Sequence, residues 1–266
     1  MDPASFRPVC EHAARSAGES LLAWRSKAAA REKGPKDLVT EADLASQQLI
    51  RRMLLEAHPD HGFLGEEQPS EAPLHERREY QWIVDPLDGT TNYVHGLPHY
   101  AVSIALEHGG QLLVGTVYDP VTQECFTAVR GQGAYLNGQP LRVSQTASMQ
   151  QALVAVSFPT VVQRDALEVR QFLEVLPACR AMRRLGCSSL NLAYLAAGRF
   201  DAYWAASTKV WDIAAGVLLV QEAGGQVSGL DGGPLDVYQG HFAAAATPEL
   251  HAELLEMLQR AGRAKS

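Results

Sequence analysis

The run Asp85-Pro86-Leu87-Asp88-Gly89-Thr90-Thr91-Asn92-Tyr93 follows directly on Gln81-Trp82-Ile83-Val84, a short apolar stretch that predicts a strand ending in an acid. Pro86 fixes one backbone dihedral, and Gly89 permits a sharp turn. The two carboxylates, with the Leu87 carbonyl between them, can therefore converge on one point beyond the strand. Hard oxygen donors of this kind suit Mg2+ or Mn2+. The same letters also suit an ordinary Asp-Gly turn between two strands, so the surroundings have to decide.

Three further acidic stretches bear on that choice. Gly65-Glu66-Glu67 follows Phe63-Leu64 and places acids at the end of another predicted strand; standing alone it would be a solvated charge pair. Trp211-Asp212-Ile213-Ala214-Ala215-Gly216 puts an acid where a helix begins, the common place for a capping Asp. In Asp37-Leu38-Val39-Thr40-Glu41-Ala42-Asp43, Thr40 is a good N-cap, and Asp43 equally fits a first-turn acid favoured by the helix dipole.

The chain around these stretches has 266 residues, 46% of them hydrophobic and 20% charged. A chain of this size buries roughly three quarters of its unfolded surface. Helical spacing runs from Phe6 to about Ala30 and from Thr40 to about Ala57, with a charged connection at 31–37 and a solvated loop at 68–79. Strands at Tyr100–His108 and Leu112–Tyr118 flank Gly109-Gly110 as a hairpin; Glu124–Val129 adds a strand, and Gly131–Gly138 reads as turn. Strand and helix then alternate: strands at Leu153–Phe158, Arg180–Leu185, Phe200–Trp204 and His241–Ala246, helices at Val162–Leu176, Ser188–Ala197, Asp212–Ala223 and Pro248 to about Ala261. Hairpins first and alternation afterwards predict an α/β protein, one domain over 1–266 with two intimate subdomains at about 1–150 and 151–266.

A net charge of -7 speaks against a nucleic-acid binder with a basic face. No apolar run approaches the roughly 20 residues that span a bilayer, and the first residues lack the basic-then-apolar pattern of a signal peptide. Cys10, Cys125, Cys179 and Cys187 form no CxxC pair and read as buried thiols in a reducing compartment. A cytoplasmic protein with no membrane partner is expected. His95 and His99 have the spacing of a zinc-binding helix, but Gly96 and Pro98 oppose a helix there. Gly131-Gln132-Gly133 lacks the third glycine of a dinucleotide fingerprint.

Taken together, Asp37-Leu38-Val39-Thr40-x-x-Asp43, Gly65-Glu66-Glu67, Asp85-Pro86-Leu87-Asp88-Gly89-Thr90-Thr91-Asn92 and Trp211-Asp212-x-Ala214-Ala215-Gly216 resemble the inositol monophosphatase family, in its order and approximate spacing, from about residue 5 to 260. Gly186 before a helix and Glu222-Ala223-Gly224-Gly225 fit as well. The resemblance implies a sugar-phosphatase fold of alternating αβαβα layers, hydrolysis of a small phosphate monoester with two or three Mg2+ ions (Mn2+ serving as well), Li+ sensitivity and a homodimer. By motif position it implies Glu66, Asp85, the Leu87 carbonyl, Asp88 and Asp212 as metal ligands. Thr90 paired with Asp43 would orient the attacking water, with Glu66 in the catalytic set, and Asp88, Gly89, Thr90, Gly186, Cys187, Ser188 and Asp212 would contact substrate. Gathered carboxylates repel one another unless cations neutralise them, which agrees with this assignment.

Two positions depart from the family pattern. Ala205 stands where inositol-specific members carry a Glu that binds sugar hydroxyls, and Gly186-Cys187-Ser188 replaces the usual Gly-Thr-Ala. Inositol phosphate is accordingly expected to be a poor substrate or one of several, with histidinol phosphate and sugar phosphates as alternatives. Thr91 replaces the Lys typical of the 3′-phosphoadenosine 5′-phosphate branch. Cys187 is expected to pack rather than react, and Lys33 and Lys36 to belong to a linker. A regulatory member acting through protein partners is the reading from another class, and the full acidic set speaks against it.

Overall fold

The helical spacing of Phe6, Cys10, Ala13, Ala17 and Leu21 becomes a fully buried stripe along one helix, the outer wall of a layered molecule. The computed structural model describes residues 2–25, 30–34, 37–67 and 78–263. In chain order its helices are α1 (Arg7–Trp24), α2 (Glu41–Ala57), α3 (Thr90–Val94), α4 (Leu167–Val175), α5 (Ser188–Ala196), α6 (Val210–Glu222) and α7 (Pro248–Arg263). The strands are β1 (Ala30–Gly34), β2 (Asp37–Thr40), β3 (Gly62–Gly65), β4 (Tyr80–Asp88), β5 (Ala101–His108), β6 (Gln111–Asp119), β7 (Glu124–Val129), β8 (Gly133–Leu136), β9 (Gln139–Leu141), β10 (Leu153–Ser157), β11 (Ala181–Arg183), β12 (Ala202–Ala205), β13 (Gln226–Ser228) and β14 (Phe242–Ala245).

One sheet runs β3-β4-β5-β6-β7-β8-β9, antiparallel except for the parallel pair β3/β4. A second runs β11-β10-β12-β14-β13, and β1 and β2 form a small antiparallel pair. Strand alternation sends each face to a different core. On β4, Trp82 and Val84 join the core beneath α1 and α2, while Ile83 joins the core around α5 and α6. On β12, Tyr203 and Ala205 face that same middle layer, while Ala202 and Trp204 face the outer core shared with α7. The order is thus α1/α2, sheet, α5/α6, sheet, α4/α7, the expected α/β layering.

Small residues set the middle layer. A Cβ on Gly115 of β6 would lie 2.8 Å from Ala215 Cα and 2.9 Å from its carbonyl oxygen, so strand and α6 touch backbone to backbone. A Cβ on Gly216 would meet the Leu192 side chain of α5. The Ala-Ala-Gly stretch after Asp212 therefore lets one helix lie flat against both the sheet and its neighbouring helix.

Several boundaries differ from expectation. The first helix stops at Trp24; Ala30, expected at its end, and residues 31–34 of the charged connection expected at 31–37 form β1 and pair with β2. Lys36 and residues 68–77 of the expected loop lie outside the described residues, as do the side chains of Lys33 and Asp37. Gly131–Gly138, read as turn, contains β8, because its glycines close two successive hairpins whose short strands still pair with β7 and β9. The expected helix from Val162 begins only at Leu167, since Pro159 and the polar residues after it do not sustain the periodicity. β13 was too short and mixed to be legible.

Replacing Gly115 with Ala should lower unfolding free energy by about 1–3 kcal/mol, because backbone cannot move aside as a side-chain tip can. Urea unfolding measures it, and an unchanged midpoint would show that the seam tolerates a methyl group.

Candidate active site

β4 carries the acids through an irregularity rather than beyond its end. Asp85 pairs with Ser103 and Asp88 with Ala101, so three steps on β4 answer two on β5. Residues three apart on a regular strand point to opposite faces; one extra residue restores the same face, so a bulge at Pro86–Leu87 re-aims Asp88 to the side of Asp85. This corrects the expectation that the two acids meet past the strand. Ser46 Oγ of α2 donates to the Pro86 carbonyl at 2.9 Å, and Leu87 N–H donates to Asp85 Oδ1 at 3.0 Å. Gly89 then turns the chain with φ 90° into α3; a Cβ there would sit 3.0 Å from the His99 carbonyl oxygen.

The other acids arrive from separate elements. Glu66 follows β3, and its N–H donates to the Val84 carbonyl at 3.1 Å. Asp212 is the third residue of α6, and its Oδ2 accepts from Lys209 N–H at 2.8 Å. Asp43 closes a capping box with Thr40 at the start of α2. Its Oδ2 accepts from Thr40 N–H at 2.9 Å and from the Thr40 hydroxyl at 2.6 Å. Thr90 Oγ1 lies 3.2 Å from Asp43 Oδ1 and 3.0 Å from the Leu87 carbonyl oxygen, and its single proton serves one of these acceptors at a time.

Electrostatics mark the cluster. Burial, then the charges of Glu66, Asp88 and Asp212, hold the Asp85 carboxyl well above the usual range. Asp212 is raised by burial, then by Asp88 and Glu66, against the opposing pull of the Lys209 N–H and charge. Asp88 is raised by burial despite donors from Ser189 and Cys187 and the nearby His99. Asp43 is pushed to about 6, chiefly by burial. No three His, Cys, Asp or Glu side chains among the described residues are already drawn into a ligand cluster. Glu66, Asp85, Asp88, Asp212 and the Leu87 carbonyl are nonetheless hard oxygen donors in mutual repulsion, a set that fits Mg2+ and that a divalent cation would relieve.

A cleft of about 500 Å³ adjoins them, lined by Glu66, Asp212, Gly186, Ser188, Trp211, Arg184, Lys209, residues 157–160, Ser207 and Thr208. Of the expected site residues, Glu66, Gly186, Ser188 and Asp212 reach its wall. Asp85 and Asp88 are 2% and 9% exposed and are not among its lining residues. Cys187 is buried, with its Sγ 3.2 Å from Asp88 Oδ2; burial and the Asp88 charge keep it a thiol, as packing predicts. Ala205 is closed off on β12, paired with Phe242.

Several residues escaped the reading of the sequence. Ser189 donates to Asp88 through both N–H and Oγ, each at 2.6 Å. Asn92 Nδ2 bridges the His99 and Leu185 carbonyls at 2.8 Å each, tying the acidic run to the loop before Gly186. Ser157, Ser207 and Thr208 add cleft hydroxyls. Only Asn92 carried a signal, its place in the acidic run; the serines look like any loop or helix-cap polar residues.

The layered α/β fold thus sets mutually repelling acids from β4, the end of β3 and the start of α6 beside one cleft. Residues 2–263 match the sequence profile of the inositol monophosphatase family, and the chain belongs to that family. It is 47% identical over 245 residues to a Pseudomonas aeruginosa protein named Nus factor SuhB, covering 90% of each. It is 39% identical over 233 residues to a Caulobacter vibrioides inositol-1-monophosphatase, covering 86% of this chain and 90% of that one. Its backbone is similar to the crystal structure of the extragenic suppressor protein suhB from Bartonella henselae, with a TM-score of 0.90 and 36% identity over 96% of this chain and 99% of that one.

A carboxyl raised from 3.8 to about 6 binds its proton more tightly in the folded protein, so ionising Asp43 costs stability. That cost is absent below pH 3.8, grows as pH rises through the window and is complete above about 6, reaching about 3 kcal/mol. Asp43→Asn does not ionise, so its stability relative to the unsubstituted protein should improve by up to that amount between pH 4 and pH 7. Urea titrations of both proteins across this range test it; a constant difference would show that Asp43 titrates normally.

Proposed function

We propose that the protein is a Mg2+-dependent phosphatase of small phosphate monoesters such as inositol 1-phosphate. The observation that carries this reading is the mutual repulsion among the buried Asp85 and Asp88 and the half-buried Glu66 and Asp212, beside a cleft that also presents Arg184 and Lys209. Two Mg2+ ions held by these four carboxylates and the Leu87 carbonyl would supply neutralising charge and Lewis acidity at the phosphate, the largest need in hydrolysing a phosphate monoester.

The chain's own groups do the rest. Thr90 Oγ1 accepts a hydrogen bond from the attacking water while donating its proton to Asp43 Oδ1, which orients a lone pair of that water toward phosphorus. Asp43 can take up this proton near neutral pH because burial has raised its pKa to about 6. Arg184 and Lys209 offer positive charge to the phosphate, and the hydroxyls of Ser157, Ser207 and Thr208 suit a polyol. Ala205 removes one charged acceptor for sugar hydroxyls, which supports a broad substrate range.

The name of the Pseudomonas aeruginosa relative favours a second reading, a regulatory role through protein partners beside or instead of catalysis. Retention of the full acidic set supports catalysis. The first reading also includes Li+ inhibition, a cytoplasmic location and a homodimer, each carried over from the family resemblance or the sequence. Among the described residues no helix is long and apolar enough to cross a membrane.

Asp88→Asn should lower kcat/KM for every monoester in a panel of inositol 1-phosphate, histidinol phosphate and glycerol 2-phosphate by roughly 100-fold or more, with an unchanged circular dichroism spectrum. Undiminished turnover would overturn the metal assignment, and no turnover by the unsubstituted protein would favour the regulatory reading. The raised carboxyl pKa values mean that Mg2+ must displace protons, so its affinity should fall as pH drops from 8 to 6, with net proton release in calorimetry run in buffers of different ionisation enthalpy. Binding that is independent of pH would place the cation elsewhere.

A further inference from the structure

Three donors converge on a single oxygen of Asp88. Ser189 N–H and Ser189 Oγ each stand 2.6 Å from Oδ2, and Cys187 Sγ stands 3.2 Å from it. Oδ1 accepts no hydrogen bond among the described residues, and it is not one of the buried unpartnered atoms. Both donor residues are buried and belong to the start of α5, with Cys187 as the N-cap and Ser189 at the second helical position. Asp88 itself sits on the bulge of β4, in the other half of the chain. A carboxylate on a short side chain rotates through a broad, soft torsion. Donors fixed to a helix N-terminus remove that freedom and leave one oxygen in one orientation.

We infer that Ser189, assisted by Cys187, is a positioning residue that anchors Asp88 Oδ2 and thereby presents Oδ1 to a divalent cation. This rests on the reading that Asp88 holds a metal. Ser189 touches neither substrate nor the reacting atoms; it acts through Asp88, as hydrogen-bonded partners of metal-ligating carboxylates do. The hydroxyl is separable from the cap. Ser189→Ala keeps the backbone N–H through which Asp88 Oδ2 caps α5 and deletes the hydroxyl's 2.6 Å bond. Cys187→Ser keeps a donor, and Cys187→Ala removes it.

Mn2+ titration followed by electron paramagnetic resonance on the full chain, with thermal melts of each variant, separates positioning from packing. Ser189→Ala should raise the Mn2+ Kd by about 10-fold. Cys187→Ala should raise it less, and Cys187→Ser should restore it. KM for Mg2+ should rise in parallel, by a larger factor than kcat falls. Ser189→Ala and Cys187→Ala binding Mn2+ as the unsubstituted protein does, while Asp88→Asn loses it, would overturn this inference and leave the metal reading standing. Undiminished Mn2+ binding by Asp88→Asn would overturn the metal reading itself. If Ser189→Ala does not fold, the comparison of Cys187→Ala with Cys187→Ser decides, equal affinities counting against positioning.

Discussion

The backbone contact between Gly115 of β6 and Ala215 of α6 is the constraint on which the rest of the molecule depends. It brings α6 down onto the first sheet with no side chain between them, so the start of that helix lies at a fixed height over β4. Ser103 Oγ of β5 reinforces the seam by donating to the Trp211 carbonyl at 3.0 Å, one residue before Asp212. Asp212 thereby comes within the field of Asp88 and Glu66, which reach the same place from β4 and from the end of β3. A side chain at position 115 would move the helix and the acid together.

Convergence of this kind opposes folding. Charges that repel one another in a buried place lower stability unless something compensates, and here the compensation is divided. Asp43 is held by Thr40, Asp212 by the Lys209 N–H and Asp88 by the start of α5. These anchors engage chosen oxygens and leave the remaining repulsion in place. On the proposed reading, a divalent cation bound there would offset this unfavourable electrostatics, which would couple binding to folding.

Much of this was legible beforehand. The α/β class, the hairpins and the alternation of the second half follow from periodicity and turn residues, and the αβαβα order from the family resemblance. The Thr40–Asp43 capping box was readable because its donors and acceptors are three residues apart. The pairing of Thr90 with Asp43 was not, because 47 residues separate them, and the resemblance alone suggested it. The charged segment misled at 31–34 because its strand character comes from pairing with β2, not from its own composition. Ser189 stayed invisible because its partner is 101 residues away.

By itself, the sequence determined which residues can do chemistry and which local frames they sit in: acids after apolar strands, an acid in the first turn of α6, a glycine able to turn the chain at φ 90°. These are properties of neighbours along the chain, set by dihedral preference and short-range hydrogen bonds. The tertiary structure decided which oxygens face one another. The bulge that turns Asp88 to the side of Asp85, the capture of Oδ2 by α5 and the closure of Ala205 against Phe242 all require partners on other strands and helices. Their physical reason is packing, since only the stacked layers bring those distant groups within hydrogen-bonding distance.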